Sequence, residues 1–302
     1  MRVLVAGRTG QLAVELLARL PRDGHAVEAR EAPDLDLTDA ASVRRAVAAS
    51  FGGAGPEAVV NAAAYTAVDR AEGERALAHA VNATGAGLLA AAAAARGLPV
   101  VHVSTDYVFD GTKGAPYVEE DPPAPLGVYG ETKLAGERAV AAANPRAVIL
   151  RTAWVCSPHG GNFVRTMLRL AREREEVAVV ADQRGAPTFA ADLADAVARL
   201  LPRLAAAPAG DPGYGVFHLT GAPHATWHDF AAAIFAGAAA RGERVPALAA
   251  ITTDAYPTPA RRPADGRLDC GRIARVHGIA APDWRASLAT CLDALLGPER
   301  PR

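Results

Sequence analysis

Through the first half of this 302-residue chain, short apolar runs alternate with longer stretches in which apolar residues recur every three to four positions. Arg2–Ala6, Ala26–Arg30, Ala58–Asn61, Val100–Ser104 and Ala147–Arg151 are runs of the length and composition expected of buried strands. Between them, Gln11–Leu20 and Ala40–Ala49 predict helices, the second opened by Thr38 or Asp39 as N-cap. A long alanine-rich helix is expected to end near Arg96-Gly97, and a further helix carries Tyr129 and Lys133. Alternation of this kind builds a parallel sheet with helices on both faces. The predicted fold class is α/β, a doubly wound parallel sheet whose ligands sit beyond the carboxyl ends of the strands.

After Thr152 the rhythm changes. Asn162–Glu175 and Ala190–Leu204 predict helices, Val177–Val180 a short strand, and Pro208–Gly215 a loop. Thr226 with Asp229 has the form of a capping box opening a helix towards Ala240. Pro257–Asp269, dense in proline and arginine, predicts an ordered loop over the cleft.

Composition narrows the partners. Half the residues are apolar, 22% are charged and the net charge is −1, so neither nucleic acid nor a membrane surface is expected as partner. The longest apolar stretch, Leu88–Ala95, is eight residues, against the ~20 a spanning helix needs. The first apolar run is too short for a secretory signal. Three widely spaced cysteines, Cys156, Cys270 and Cys291, form no disulfide framework or zinc knuckle, and a reducing cytoplasm is the expected compartment. His224 and His228 have helical spacing but no third ligand, so no metal site is expected.

The candidate chemistry lies at two places. Gly7-Arg8-Thr9-Gly10-Gln11-Leu12-Ala13 joins the first strand to the first helix, where glycines let backbone N–H groups approach a pyrophosphate at the positive helix terminus. Arg30, ending the second strand, stands with Arg8 where a 2′-phosphate would lie, which favours NADPH and leaves NADH open. Asp36 and Leu37 are candidates to flank the adenine. Ala64, Tyr65 and Thr66, just past the third strand, and Val103 in the fourth complete the cofactor set. These motifs predict a Rossmann-type dinucleotide-binding domain over residues 1–155, with segments within about 178–220 returning to it. A smaller, interleaved substrate-binding domain is expected over 156–302.

The second place is Tyr129 and Lys133, four residues apart and therefore on one helical face. A lysine charge beside a phenol favours the phenolate. With an effective dielectric of ~20 and a separation of ~4 Å the attraction is ~4 kcal/mol, at most ~3 pKa units. Such a pair suits proton transfer at an oxygen whose carbon gains or loses hydride. Thr105, ending the fourth strand, offers a hydroxyl to polarise a carbonyl.

Together these motifs match the extended short-chain dehydrogenase/reductase superfamily. More narrowly, NAAAYTAVDRAE from Asn61, STDYVFDG from Ser104, APLGVYGETKLAGE, RTAWV, NFVRTMLRLAREREEVAVVADQRGAPT and AYPTPARRPADGRLD resemble the dTDP-4-dehydrorhamnose reductase family almost end to end. The resemblance implies NADPH- or NADH-dependent reduction of a 4-keto nucleotide sugar. Tyr129 would be the proton donor, Lys133 its partner on the nicotinamide ribose, and Thr105 the carbonyl polariser. It implies sugar contacts from Thr105, Asp106 and Trp154. Asn162 and Arg262 are expected to face the diphosphate. Some members form dimers bridged by magnesium through glutamates; here Glu15 is present but Ala191 stands where a second glutamate is needed. A magnesium bridge is therefore not expected, while a homodimer stays open. Two alternatives remain at this point: a reductase of another dTDP-4-keto-6-deoxysugar, and a non-catalytic NADP-binding regulatory subunit of the same fold.

Overall fold

The computed structural model describes residues 1–299. β1 (Arg2–Ala6), α1 (Gln11–Arg19), β2 (Ala26–Arg30), α2 (Ala40–Ala49) and β3 (Ala58–Asn61) follow in the order the apolar pattern predicts. Asp39 caps α2, its carboxylate accepting from the Ala41 N–H. The alanine-rich stretch departs from expectation. It is divided into α3 (Val68–Ala71), α4 (Arg75–His79), a π-helical segment (Ala80–Gly85) and α5 (Ala86–Ala94).

The π segment contains Asn82, a buried polar residue. Its side chain accepts from Tyr65 N at 2.8 Å and donates to Tyr65 O and to Thr132 Oγ1 at 3.1 Å. The widened turn brings this amide to both the loop after β3 and the helix bearing the Tyr/Lys pair. The helical stretch Arg75–Ala94 is long and apolar enough to cross a membrane. Its apolarity also has a use within the fold, because Leu89, Ala90 and Ala93 pack into a core against the sheet.

β4 (Val100–Thr105), α6 (Val128–Ala143) and β5 (Ala147–Thr152) complete the first half. The chain continues through β6 (Val155–Cys156), α7 (Phe163–Glu173), β7 (Glu176–Val180), β8 (Arg184–Gly185), β9 (Thr188–Phe189) and α8 (Ala190–Ala206). β10 (Gly215–His218), β11 (Ala225–Thr226), α9 (Trp227–Ala240), β12 (Ala247–Ile251), α10 (Gly271–His277) and α11 (Trp284–Leu296) follow.

Six strands form the main sheet in the order β10-β5-β4-β3-β1-β2, all parallel. The order reverses between β1 and β3, which opens a crevice at their carboxyl ends. Alternate residues of β1 serve opposite faces: Val3 and Val5 pack with Leu16, Leu193 and Val197, while Leu4 packs with Val43 and Leu89. A separate core holds Val164, Phe230, Ile234 and Trp284 from α7, α9 and α11.

The chain does not divide at one point. α8 packs on α1, and β10 pairs with β5. β7, which begins just before the span expected to return to the sheet, pairs in parallel with β12 in the other lobe. Ile273 of α10 crosses back to the first core.

α6 is seated unusually close to its neighbours. A Cβ at Gly136 would lie 2.0 Å from Asn82 O, and one at Gly130 would lie 2.1 Å from Tyr107 O. Only glycine permits both approaches. Beneath them Glu137 and Arg151 form a bidentate pair, Nε–Oε1 2.9 Å and Nη2–Oε2 2.7 Å, with both side chains 4% exposed. Ser104 Oγ also donates to Glu137, and the Phe109 ring lies 5.1 Å from the guanidinium carbon. Glu137→Ala would leave Arg151 buried without its counter-charge. It should lower the unfolding free energy by about 3–5 kcal/mol in urea titrations; a loss below about 1 kcal/mol would mean the pair does not fasten α6 to the sheet.

Candidate active site

A cavity of about 580 Å³ opens at the carboxyl ends of β1, β3, β4 and β5. That is the size range of a cofactor or substrate site. One end is formed by the glycine turn. Gly7 has φ +100°, and a Cβ there would come within 3.3 Å of Ala63 N, so a side chain is excluded twice. A Cβ at Gly10 would meet nothing within 4 Å, and no side chain caps α1. The positive end of that helix therefore opens onto the cavity. Gln11, Leu12, Ala64, Thr66 and Val103 line it as well. The open helix terminus and the two glycines of the turn fit a dinucleotide pyrophosphate.

Gln11 is held from the other lobe. Its Oε1 accepts from Ser157 Oγ at 3.0 Å and from Asn162 Nδ2 at 2.9 Å. Asn162 also caps α7 and donates to Ser157 O. Its side chain is thus committed to the frame, and the expectation that it faces the diphosphate is corrected.

Further corrections concern the cofactor end. Arg30 does not reach the cavity; its guanidinium pairs with Glu28 and bonds the carbonyls of Ala46 and Ala49 at 3.3 Å. Glu31, the next residue, lines the cavity instead. Its carboxylate accepts from Arg8 N at 3.2 Å, Thr9 N at 3.1 Å and Thr9 Oγ1 at 3.0 Å. Side chains alternate across a strand, so a one-residue difference reverses the direction in which the charge points. Arg8 itself is not part of the lining; its side chain is exposed, 3.6 Å from Glu31. Asp36 is used in a local turn, accepting from Thr38 N and Oγ1 at 2.8 and 2.7 Å, and Leu37 is buried in the core. Tyr65 turns outward, its hydroxyl donating to Glu74 at 2.6 Å.

The other end of the cavity gathers Thr105, Asp106, Tyr129, Lys133, Thr152 and Trp154. Lys133 is buried and its Nζ donates to Val103 O at 2.6 Å. Burial pulls this ammonium down to about 8, with Glu137 one turn away opposing the change. Burial pushes the Tyr129 phenol up to about 12; Thr105 acts against this and Asp106 adds to it. The expected acidification by Lys133 is therefore not what dominates here. Removal from water is the largest influence on both groups, because desolvation penalises whichever form is charged.

Asp106 is also buried, which raises its carboxyl to about 7 against the Thr105 hydroxyl and two backbone N–H groups. Thr105 Oγ1 lies 3.1 Å from Asp106 Oδ1 and accepts from Tyr107 N at 3.2 Å. Thr152 Oγ1, which the sequence reading did not select, is buried without a protein partner. A strand-end hydroxyl in that condition points to a ligand atom as its complement.

Arg262 lies outside the lining. It is bidentate to Asp69, at 3.2 and 2.9 Å, and further bound to Thr258 and Ala260. This pairs the Pro257–Asp269 loop with α3, so the expected diphosphate contact is corrected to a tie between loop and helix.

Known proteins match over the whole chain. The family model described as RmlD substrate binding domain matches residues 1–296. A dTDP-4-dehydrorhamnose reductase of Sinorhizobium fredii is 46% identical over 296 residues, 98% of each chain. The crystal structure of a dTDP-4-dehydrorhamnose reductase from Clostridium acetobutylicum has a TM-score of 0.89 at 37% identity, covering 98% of this chain and 99% of its own. One from Bacillus anthracis, in complex with NADP, has a TM-score of 0.87 at 34% identity, covering 96% and 98%. By sequence, fold and the residues converging in its cavity, this chain belongs to the dTDP-4-dehydrorhamnose reductase family.

Proposed function

We propose that this chain reduces the 4-keto group of dTDP-4-dehydro-β-L-rhamnose to give dTDP-β-L-rhamnose. The observation that carries the reading is the convergence of Thr105, Tyr129 and Lys133 in the cavity whose far end is the glycine turn. Gly7, Gly10, the start of α1, Ala64, Thr66 and Val103 would hold NADPH or NADH. When bound, the reduced nicotinamide supplies a hydride to C4.

The chain supplies the rest. Thr105 Oγ1 donates to the carbonyl oxygen and draws electron density from C4. Tyr129, fully protonated at neutral pH because burial raises its pKa to about 12, gives its phenolic proton to the oxygen as the C=O electron pair moves onto it. Lys133, on the same face of α6, then stabilises the phenolate left behind. A pKa above neutrality suits reduction, in which the phenol starts protonated. Trp154 gives the sugar an apolar wall, and Asp106 a hydrogen-bonding edge.

Three measurements test this. Tyr129→Phe should lower kcat for NADPH-dependent reduction at least ~100-fold with cofactor affinity nearly unchanged; near-normal turnover would refute the role. Lys133 carries its charge below its pKa of about 8 and loses it as pH rises through that value. In the free enzyme, kcat/KM should therefore fall above pH 8, approaching ~10-fold per unit. A profile flat to pH 9.5 would remove the lysine charge from the mechanism.

Glu31 stands where an acidic side chain bonds a ribose hydroxyl and repels a 2′-phosphate. Glu31→Ser should move the NADPH/NADH preference towards NADPH by ~10-fold. An unchanged ratio would show that Glu31 does not read the ribose.

A further inference from the structure

Trp154 has φ +47°, a left-handed conformation that bulky side chains seldom adopt. Backbone of this kind persists where the surroundings over-determine it, and three contacts do so here. One broad face of the indole is stacked on Trp227, ring centroids 3.6 Å apart and planes 14° from parallel. Its edge lies against Gly185, where an added Cβ would come 2.6 Å from Cε2 and 2.9 Å from Nε1. Its carbonyl accepts from Thr188 N at 3.2 Å. The rest of the ring lines the cavity beside Thr152 and Asp106.

Trp227 is itself anchored. It is the first residue of α9, which the reciprocal Thr226/Asp229 box fixes at 3.0 and 2.9 Å. Phe163 packs on it at 4.6 Å and leads through Phe230, 5.5 Å further, into the second core. One wall of the cavity is therefore set by the packing of the other lobe.

We propose that Trp227 and Gly185 are specificity-determining residues for the reduction: they hold Trp154 as a flat apolar wall that accepts the C–H edge of a deoxysugar and disfavours a hydroxyl there. Neither lines the cavity; both act through Trp154. A sugar hydroxyl turned against an indole face loses water and gains no partner, whereas a methyl or ring C–H gains contact area. Gly185 keeps room for the indole edge, and Trp227 stops the ring from swinging back. The proposal rests on the reductase reading.

The experiment combines circular dichroism with steady-state oxidation of dTDP-L-rhamnose by NADP, beside a dTDP-hexose that retains the C6 hydroxyl. The wild-type chain should show the exciton couplet of stacked indoles. Trp227→Leu should abolish it, raise KM for dTDP-L-rhamnose ~10-fold and lessen the preference over the hydroxylated sugar, with KM for NADP within about twofold. Trp227→Phe should also lose the couplet, yet keep KM for the sugar within about threefold because a flat ring still backs Trp154. Gly185→Ala should raise the sugar KM by displacing the indole edge. Absence of the couplet in the wild type, or its loss in Trp227→Leu with sugar KM and preference unchanged, overturns this proposal alone. No oxidation of dTDP-L-rhamnose by the wild-type chain overturns the reductase reading and this proposal with it.

Discussion

A carboxylate and a guanidinium sealed from water, Glu137 and Arg151, tie α6 to the sheet, and the position of Tyr129 and Lys133 follows from that tie. Burying two charges is costly unless geometry and additional hydrogen bonds compensate. Here the pair is bidentate, and Ser104 adds a donor. Glu137 sits one turn beyond Lys133, so the bridge also sets the depth at which Lys133 enters the interior and meets Val103 O. Gly130 and Gly136 then let the helix settle against Tyr107 and Asn82. Register, depth and distance of α6 are in this way separately constrained, and Tyr129 and Thr105 come to share one cavity.

Four of the first five strands were legible because each is a compact run buried on both faces. β2, Ala-Val-Glu-Ala-Arg at the sheet edge, was legible from its place between two helical stretches, and all five boundaries agree with the structure to within a residue. β10 and β12 were not. Gly-Val-Phe-His is too short to carry a pattern, and Ala-Leu-Ala-Ala-Ile reads equally well as helix; each becomes a strand through its neighbour, β5 or β7. The interrupted helix failed for another reason. Alanine dominates its composition, and the one polar residue that matters, Asn82, acquires its meaning from Tyr65 and Thr132, distant in sequence.

At the site, a hydroxyl, a phenol and an ammonium could be selected because their spacing and strand-end placement are local properties. Electrostatics could not. That Tyr129 and Lys133 share a helical face is readable from i and i+4, whereas the burial that governs both groups is a property of the whole packing. Charged residues named from motif position fared worst. Arg30 and Arg262 each found a nearer carboxylate, Glu28 or Asp69, before any ligand could claim them. Glu31 escaped notice because the ribose-reading charge was sought on the last strand residue, Arg30, whereas it is Glu31, one residue beyond, that lines the cavity.

The interleaving of the lobes carries a consequence for biosynthesis. β5 is closed on its outer side only by β10, some sixty residues later. While a ribosome is still producing the intervening segment, β5 presents a row of unpaired backbone amides and carbonyls flanked by apolar side chains. Such an edge invites pairing with other nascent chains. α8, which packs on α1, is also made during that interval. The part of the molecule that emerges first is thus completed by one of the later strands.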